Sequence, residues 1–144
     1  MKTIKLLLLA ASLAMSVVGC ASGVKYSAYR PTVSPPAAGQ GRIWFYRPSA
    51  MGAAIQPEVN LDGRTVGKAK PHGFFHVDTM PGQHEVSCTT EWSNKNMVSV
   101  TTDQDTYVRL SMMIGVFVGH VIPKQVPAAE AEHEMKNLHL MDGN

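Results

Sequence analysis

Apolar residues follow three different rhythms along the chain. From Leu6 to Val18 they form one run of about 13 residues, broken only by Ser12 and Ser16. From Ala21 to Gln40 they have no period, and Pro31, Pro35 and Pro36 stand among Ser, Ala and Gly. From Gly41 onward, short stretches alternate apolar with polar positions, the period of two that a strand with one buried face requires.

Arg42–Arg47 (RIWFYR) is rich in aromatic and β-branched residues and carries apolar groups on both faces, Ile43 and Phe45 against Trp44 and Tyr46. A central strand ending at Pro48 follows. Pro57–Leu61 and Arg64–Val66 flank Asp62-Gly63, a dipeptide that tolerates the positive φ of a tight hairpin turn. Phe74–Val77 reads as a further strand, Pro81-Gly82 as a second tight turn and Gln83–Thr90 as the returning strand. Met97–Thr101 and Thr106–Met112 are expected to pair across residues 102–105.

Met112–Ile122 is the most apolar stretch after the leader and holds Gly115 and Gly119 in G-x-x-x-G spacing. At 11 residues it is too short to span a bilayer, which takes about 20. It reads as a buried or edge strand bent at a glycine, or as a segment facing a membrane or partner. In Ala128–Leu138, Ala131, Met135 and Leu138 fall on one helical face. Leu140 and Met141 suit a short last strand. The fold expected is mainly β, a small antiparallel β-sandwich with one short C-terminal amphipathic helix.

The first twenty residues have a basic head (Met1–Lys5), the apolar run and then Gly19-Cys20, the layout of a secretory signal. Val17-Val18-Gly19-Cys20 resembles the bacterial lipobox, in which cleavage after the small residue leaves a lipidated cysteine first in the mature chain. An ordinary signal peptide that happens to end near a cysteine is the plainer alternative. The lipobox reading divides the chain into a signal peptide (1–19), a lipidated cysteine with a flexible Pro/Ser/Ala tether (20–40), a β-rich domain (41–141) and a frayed tail (142–144). Cleavage falls between Gly19 and Cys20, Cys20 is the lipidation site, and the membrane is a partner through that lipid. Ala21 stands where an aspartate would resemble an inner-membrane retention signal, so the outer membrane, facing the periplasm, is the expected address. With Cys20 consumed by lipid, Cys88 has no disulfide partner and reads as a small core hydrophobe or as a reactive thiol.

Composition narrows the function classes. Removing Lys2 and Lys5 from the 13 basic side chains leaves 11, equal to the 11 acidic ones. A near-neutral chain without a basic run lacks the footprint of a nucleic-acid binder. The six histidines at 72, 76, 84, 120, 133 and 139 form no recognisable metal set. His133-Glu134 begins like a zinc-protease helix, but Asn137 stands where the second histidine belongs. No nucleophile elbow and no phosphate loop is present, so neither a cofactor nor a metal is expected.

RIWFYRPS, the Asp62-Gly63 hairpin, GFFHVD, PGQHEVSC and DTYVRL, in that order, resemble a family of uncharacterised bacterial lipoproteins carrying the domain of unknown function numbered 2846. The resemblance implies a β-rich extracytoplasmic module and transfers no catalytic residues. Two functions compete. One is a non-catalytic binding or accessory module that contacts an envelope protein, peptidoglycan or glycan through Arg47, Arg64, Trp92 and Asn94 near its turns. The other is a metal-dependent or hydrolytic envelope enzyme using His76 and His84 with Asp78 or Glu85.

Overall fold

Strand β1 (Gly41–Arg47) is buried along its whole length, as a strand with apolar groups on both faces requires. In the computed structural model, which describes residues 20–89, 93–114 and 119–141, β1 is the middle of a five-stranded sheet. The other strands in chain order are β2 (Glu58–Leu61), β3 (Arg64–Lys68), β4 (Gly73–Thr79), β5 (Gly82–Thr89), β6 (Ser93–Val100), β7 (Asp105–Ile114), β8 (Gly119–Val126) and β9 (His139–Leu140). Helix α1 (Tyr26–Tyr29) runs into a 3-10 turn (Arg30–Thr32), and helix α2 (Ala128–Met135) precedes β9. One sheet has the order β8-β7-β1-β4-β9 and the other β3-β2-β5-β6. The pairings are antiparallel except β1 with β7 and β4 with β9.

The inner faces of the two sheets enclose Ile43, Phe45, Val59, Phe75, Val86, Cys88, Val98, Val108, Leu110 and Val121. Phe45 and Phe75 stack with centroids 4.9 Å apart. A second core lies on the outer face of the five-stranded sheet, where α1 and α2 cover Trp44, Tyr46, Phe74 and Tyr107 with Tyr26, Ala131, Met135 and Leu138. The molecule is therefore a β-sandwich with a partial helical layer on one sheet. No helix among the described residues is long and apolar enough to cross a membrane.

The Asp62-Gly63 turn forms as expected, with φ of 51° and 78° at its two residues. Two other expected pairings do not form. Residues 80–81 join β4 in one sheet to β5 in the other, and residues 101–104 join β6 to β7 across the same gap. β1, buried on both faces, needs a neighbour on each side and takes β4 and β7, leaving β5 and β6 to pair with each other. The apolar segment after Met112 supplies the end of β7 and the start of β8, whose paired register includes Met112 with Val121 and Ile114 with Gly119. Gly115 lies outside the described residues.

Residues 21–34, expected to be a free tether, are docked on the domain. The Ala21 amide donates to the Pro71 carbonyl at 3.2 Å, Gly23 to Leu140 at 3.2 Å and Tyr26 to Leu138 at 2.9 Å. Tyr26 is buried edge-on against Trp44 and Phe74, with centroids 5.4 and 5.3 Å away. Tyr26, Tyr29 and Val33 bring apolar area to the sheet that the prolines around them conceal in the sequence. Burying one such side chain contributes about 1.5–3 kcal/mol, enough to hold a short segment.

Candidate functional site

Alternation along β4, β1 and β7 sets side chains in three rows on the outer face of the five-stranded sheet: Asp78, Arg42 and Asp105, then His76, Trp44 and Tyr107, then Phe74, Tyr46 and Arg109. In the first row Arg42 makes a two-pronged contact with Asp78, Nε to Oδ1 at 2.6 Å and Nη2 to Oδ2 at 2.8 Å, and its Nη1 donates to the Ser34 carbonyl at 2.7 Å. The hydrogen bond from Arg42 holds the Asp78 carboxyl below the usual carboxylate range. Asp105 accepts the Trp44 indole N–H at 2.8 Å on one oxygen and Arg30 on the other. Both guanidinium groups lie over the Trp44 ring, 5.5 Å away for Arg30 and 5.8 Å for Arg42.

Beside them, His76 Nε2 is 3.0 Å from the Tyr29 hydroxyl, and its Nδ1 stands 4.0 Å from Asp78, beyond hydrogen-bond reach. Burial first, and then the charge of Arg42, lower the pKa of His76, so the ring is neutral near pH 7. In the third row Tyr46 donates to Glu134 at 2.6 Å, and Arg109 donates to Glu130 at 2.6 Å and Glu134 at 2.8 Å. Tyr107 donates to Glu132 at 3.0 Å. These bonds join α2 to the sheet. Burial and the neighbouring carboxylates push both phenols well above their ordinary pKa. The charged groups of this face are matched to one another, which makes it a clamp for the helical layer rather than a set of free acids and bases.

The described residues among those expected to form a binding surface are scattered. Arg47 is fully buried, donating from Nη1 to the carbonyls of Ile55 and Ala69, both at 2.7 Å, and from Nη2 to Met51 at 2.6 Å and Gly52 at 3.0 Å. Burial pulls its pKa down. Arg47 organises the loop after β1 and offers nothing to a partner, which corrects the surface role expected of it. Asn94 is half-buried at the seam of β6 and β8, its amide 3.5 Å from the Val121 carbonyl. Asn96 and Ser99 cross the same seam to Pro123 and Gln125. Trp92 lies outside the described residues.

Arg64 alone among the described candidates stands exposed at a concave feature. A cleft of about 280 Å³ opens between the β2–β3 hairpin and the end of β4, lined by Asp62, Arg64, Thr65, Asp78 and Thr79 over Leu61, Val66 and Val77. A shallower depression of about 230 Å³ lies between α1 and α2, among Tyr26, Ser27, Arg30, Glu132 and Lys136.

His76 and His84 are not brought together. His76 is on β4 in the five-stranded sheet, whereas His84 is on β5 in the other, with Nδ1 2.6 Å from Asp62 and Nε2 2.7 Å from the Met80 carbonyl. Among the described residues, no three His, Cys, Asp or Glu side chains are placed to hold a metal ion. Cys88 is buried between the sheets, and its thiol is pushed up to about 12 by burial, which leaves it inert as a nucleophile.

The family model described as a protein of unknown function, DUF2846, matches residues 37–121, which include all of β1–β7. The chain belongs to the DUF2846 family. The match takes in Arg42, Trp44, Asp78 and Asp105 but stops short of α1 and α2, so the rows lie within the DUF2846 segment and their helical cover outside it. An uncharacterised protein of Haemophilus influenzae is 26% identical over 106 residues, covering 73% of this chain and 63% of the relative. The chain thus aligns with less than two thirds of that relative's length. No solved structure matches.

Proposed function

We propose that the protein is a membrane-anchored extracytoplasmic lipoprotein whose folded domain is a non-catalytic binding or accessory module of the cell envelope. The contrast between its two cysteines carries this reading. Cys88 is sealed in the core, whereas Cys20 is exposed at the start of the docked segment, directly after Val17-Val18-Gly19. A cysteine that is to receive acyl chains must be reachable by the processing enzymes, and more than one chain gives lasting attachment. The outer membrane, with the domain in the periplasm, is the address that Ala21 favours. The partner is an envelope protein, peptidoglycan or glycan, and the Arg64 cleft is the surface proposed to meet it.

Growth of expressing cells with labelled palmitate tests the anchor. The label is expected on the full-length chain, in the membrane fraction, and absent from Cys20→Ser, which should accumulate without acyl chains. Equal labelling of both chains would remove the proposal. Crosslinking in intact cells from a photoreactive group at exposed Thr65 is expected to capture an envelope component, and Arg64→Glu should reduce that capture.

A further inference from the structure

We propose that the end of the sandwich bearing Cys20 rests on the phospholipid headgroups, so that the domain is held in one orientation on the membrane instead of swinging on a tether. This rests on the reading of Cys20 as the acylated residue. Little slack separates Cys20 from the fold. Ala21 is buried and bonded to the Pro71 carbonyl, and an added Cβ at Gly23 would lie 2.4 Å from the Leu140 carbonyl oxygen, so this stretch fits closely against β9. One residue spans about 3.8 Å from Cα to Cα, which is all that separates an acylated Cys20 from the fold.

The surroundings of Cys20 suit such a surface. Gly73, which pairs with Arg47 across β4 and β1, lies against Ala21 and Met141. Arg47 gathers the carbonyls of Met51, Gly52 and Ile55, and that loop packs on Met112 and Gly119 of the β7–β8 hairpin. The same end thus presents Met51 at 53%, Met113 at 55% and Ile114 at 81% exposure. Residues 48–57 and 110–114 contain no Asp, Glu, Lys or Arg, and the neighbouring loop at 69–72 brings Lys70. Exposed apolar side chains with a cation beside them suit a headgroup boundary containing anionic lipid.

The opposite end is charged and polar, with Asp62, Asp103, Arg64 and the ion pairs Asp78–Arg42 and Asp105–Arg30 at its turns and strand ends. Met80, at the turn there, and Met97, on the outer face of the other sheet, are exposed apolar exceptions. In this orientation the charged end and the Arg64 cleft face away from the bilayer.

The test uses the acylated full-length protein in vesicles of phosphatidylethanolamine with a minority of phosphatidylglycerol. Environment-sensitive fluorophores are attached at Met51→Cys, Met113→Cys and, as the distal control, Thr102→Cys. All three positions are exposed, and buried Cys88 does not compete for the label. Lipid-borne nitroxide is expected to quench the labels at 51 and 113 several-fold more than the label at 102, with aqueous iodide showing the opposite order. Equal iodide quenching at all three positions would mean a swinging domain and overturn the orientation while leaving the anchor intact. Shielding of 51 and 113 from iodide without quenching by nitroxide would mean that protein covers this end, which also overturns it. An intact mass without acyl chains would remove the anchor and this proposal together.

Discussion

Arg47 has four hydrogen bonds to backbone carbonyls and no carboxylate partner among them, so its contribution lies in satisfying a loop that would otherwise bury unpaired oxygens. Arg47→Met keeps much of the volume and strips all four bonds. An unmet buried polar group costs about 1–3 kcal/mol, so a loss of roughly 3 kcal/mol or more is expected, read as a lower urea midpoint. A midpoint within error of the parent would show that the loop does not depend on Arg47. Sequence alone points the other way, because arginines are mostly exposed and this one ends a strand beside a proline. Nor does local sequence reveal the pairing of Arg42 with Asp78 or of Arg30 with Asp105, since the partners are far apart in the chain and meet only when β4 and β7 flank β1.

The histidines differ in sign. Burial alone would lower the pKa of His84, but hydrogen bonds to Asp62 and the Met80 carbonyl raise it above 6.5, and the same bond to His84 lowers Asp62 below 3.8. The contribution of His84 is present below pH 6.5 and lost as pH rises through its folded value; that of Asp62 is present above 3.8 and lost as pH falls through its own. The pair therefore stabilises most between those limits. His76 has its folded value below 6.5, so its contribution is present above that pH and fades on acidification. Imidazole titrations by NMR should place His84 above and His76 below 6.5, and Asp62→Asn should bring His84 down. The reverse order of the two rings would contradict this account.

At the level of elements, local chemistry was readable where one short stretch decides the outcome. Asp62-Gly63 makes its turn because both residues take positive φ, and α2 forms where Ala131 and Met135 share a face. Sheet membership was not readable. A turn at residues 80–81 looks the same whether the next strand pairs with β4 or crosses to the facing sheet, and only the demand of β1 for two neighbours decides it. Helix α1 went unseen because four residues among prolines give no period to detect, although Tyr26 supplies a large buried ring. Tyr26→Ala removes the edge contacts with Trp44 and Phe74, at an expected cost of about 3–5 kcal/mol. Limited proteolysis should then cut within residues 21–34, which the parent chain protects. Equal cutting of the two chains would show that Tyr26 does not hold the segment.

For the molecule as a whole, the segment 21–34 is a structural part of the second core. A chain beginning at Gly41 would uncover Trp44 and Phe74, and it should bind a hydrophobic dye and unfold at lower temperature than the chain beginning at Cys20. Identical melting of both would mean that the sandwich is self-sufficient. The antiparallel body of the sandwich and helix α2 were legible in the sequence, whereas the docking of residues 21–26 was not, because Gly23, Val24 and Tyr26 bond to Leu138 and Leu140, more than a hundred residues away in the chain.

That separation also orders events during synthesis. Gly23, Val24 and Tyr26 bond to Leu138 and Leu140, so the beginning of the docked segment is not fully seated until those residues have been made and β9 has paired with β4. Closing so long a loop is slow compared with forming a hairpin. Under the proposal that Cys20 is acylated, a newly exported chain passes through an interval in which residues 21–26 are slack, and the modifying enzymes would meet Cys20 on a loose strand before the closing of the fold draws the domain down onto its anchor.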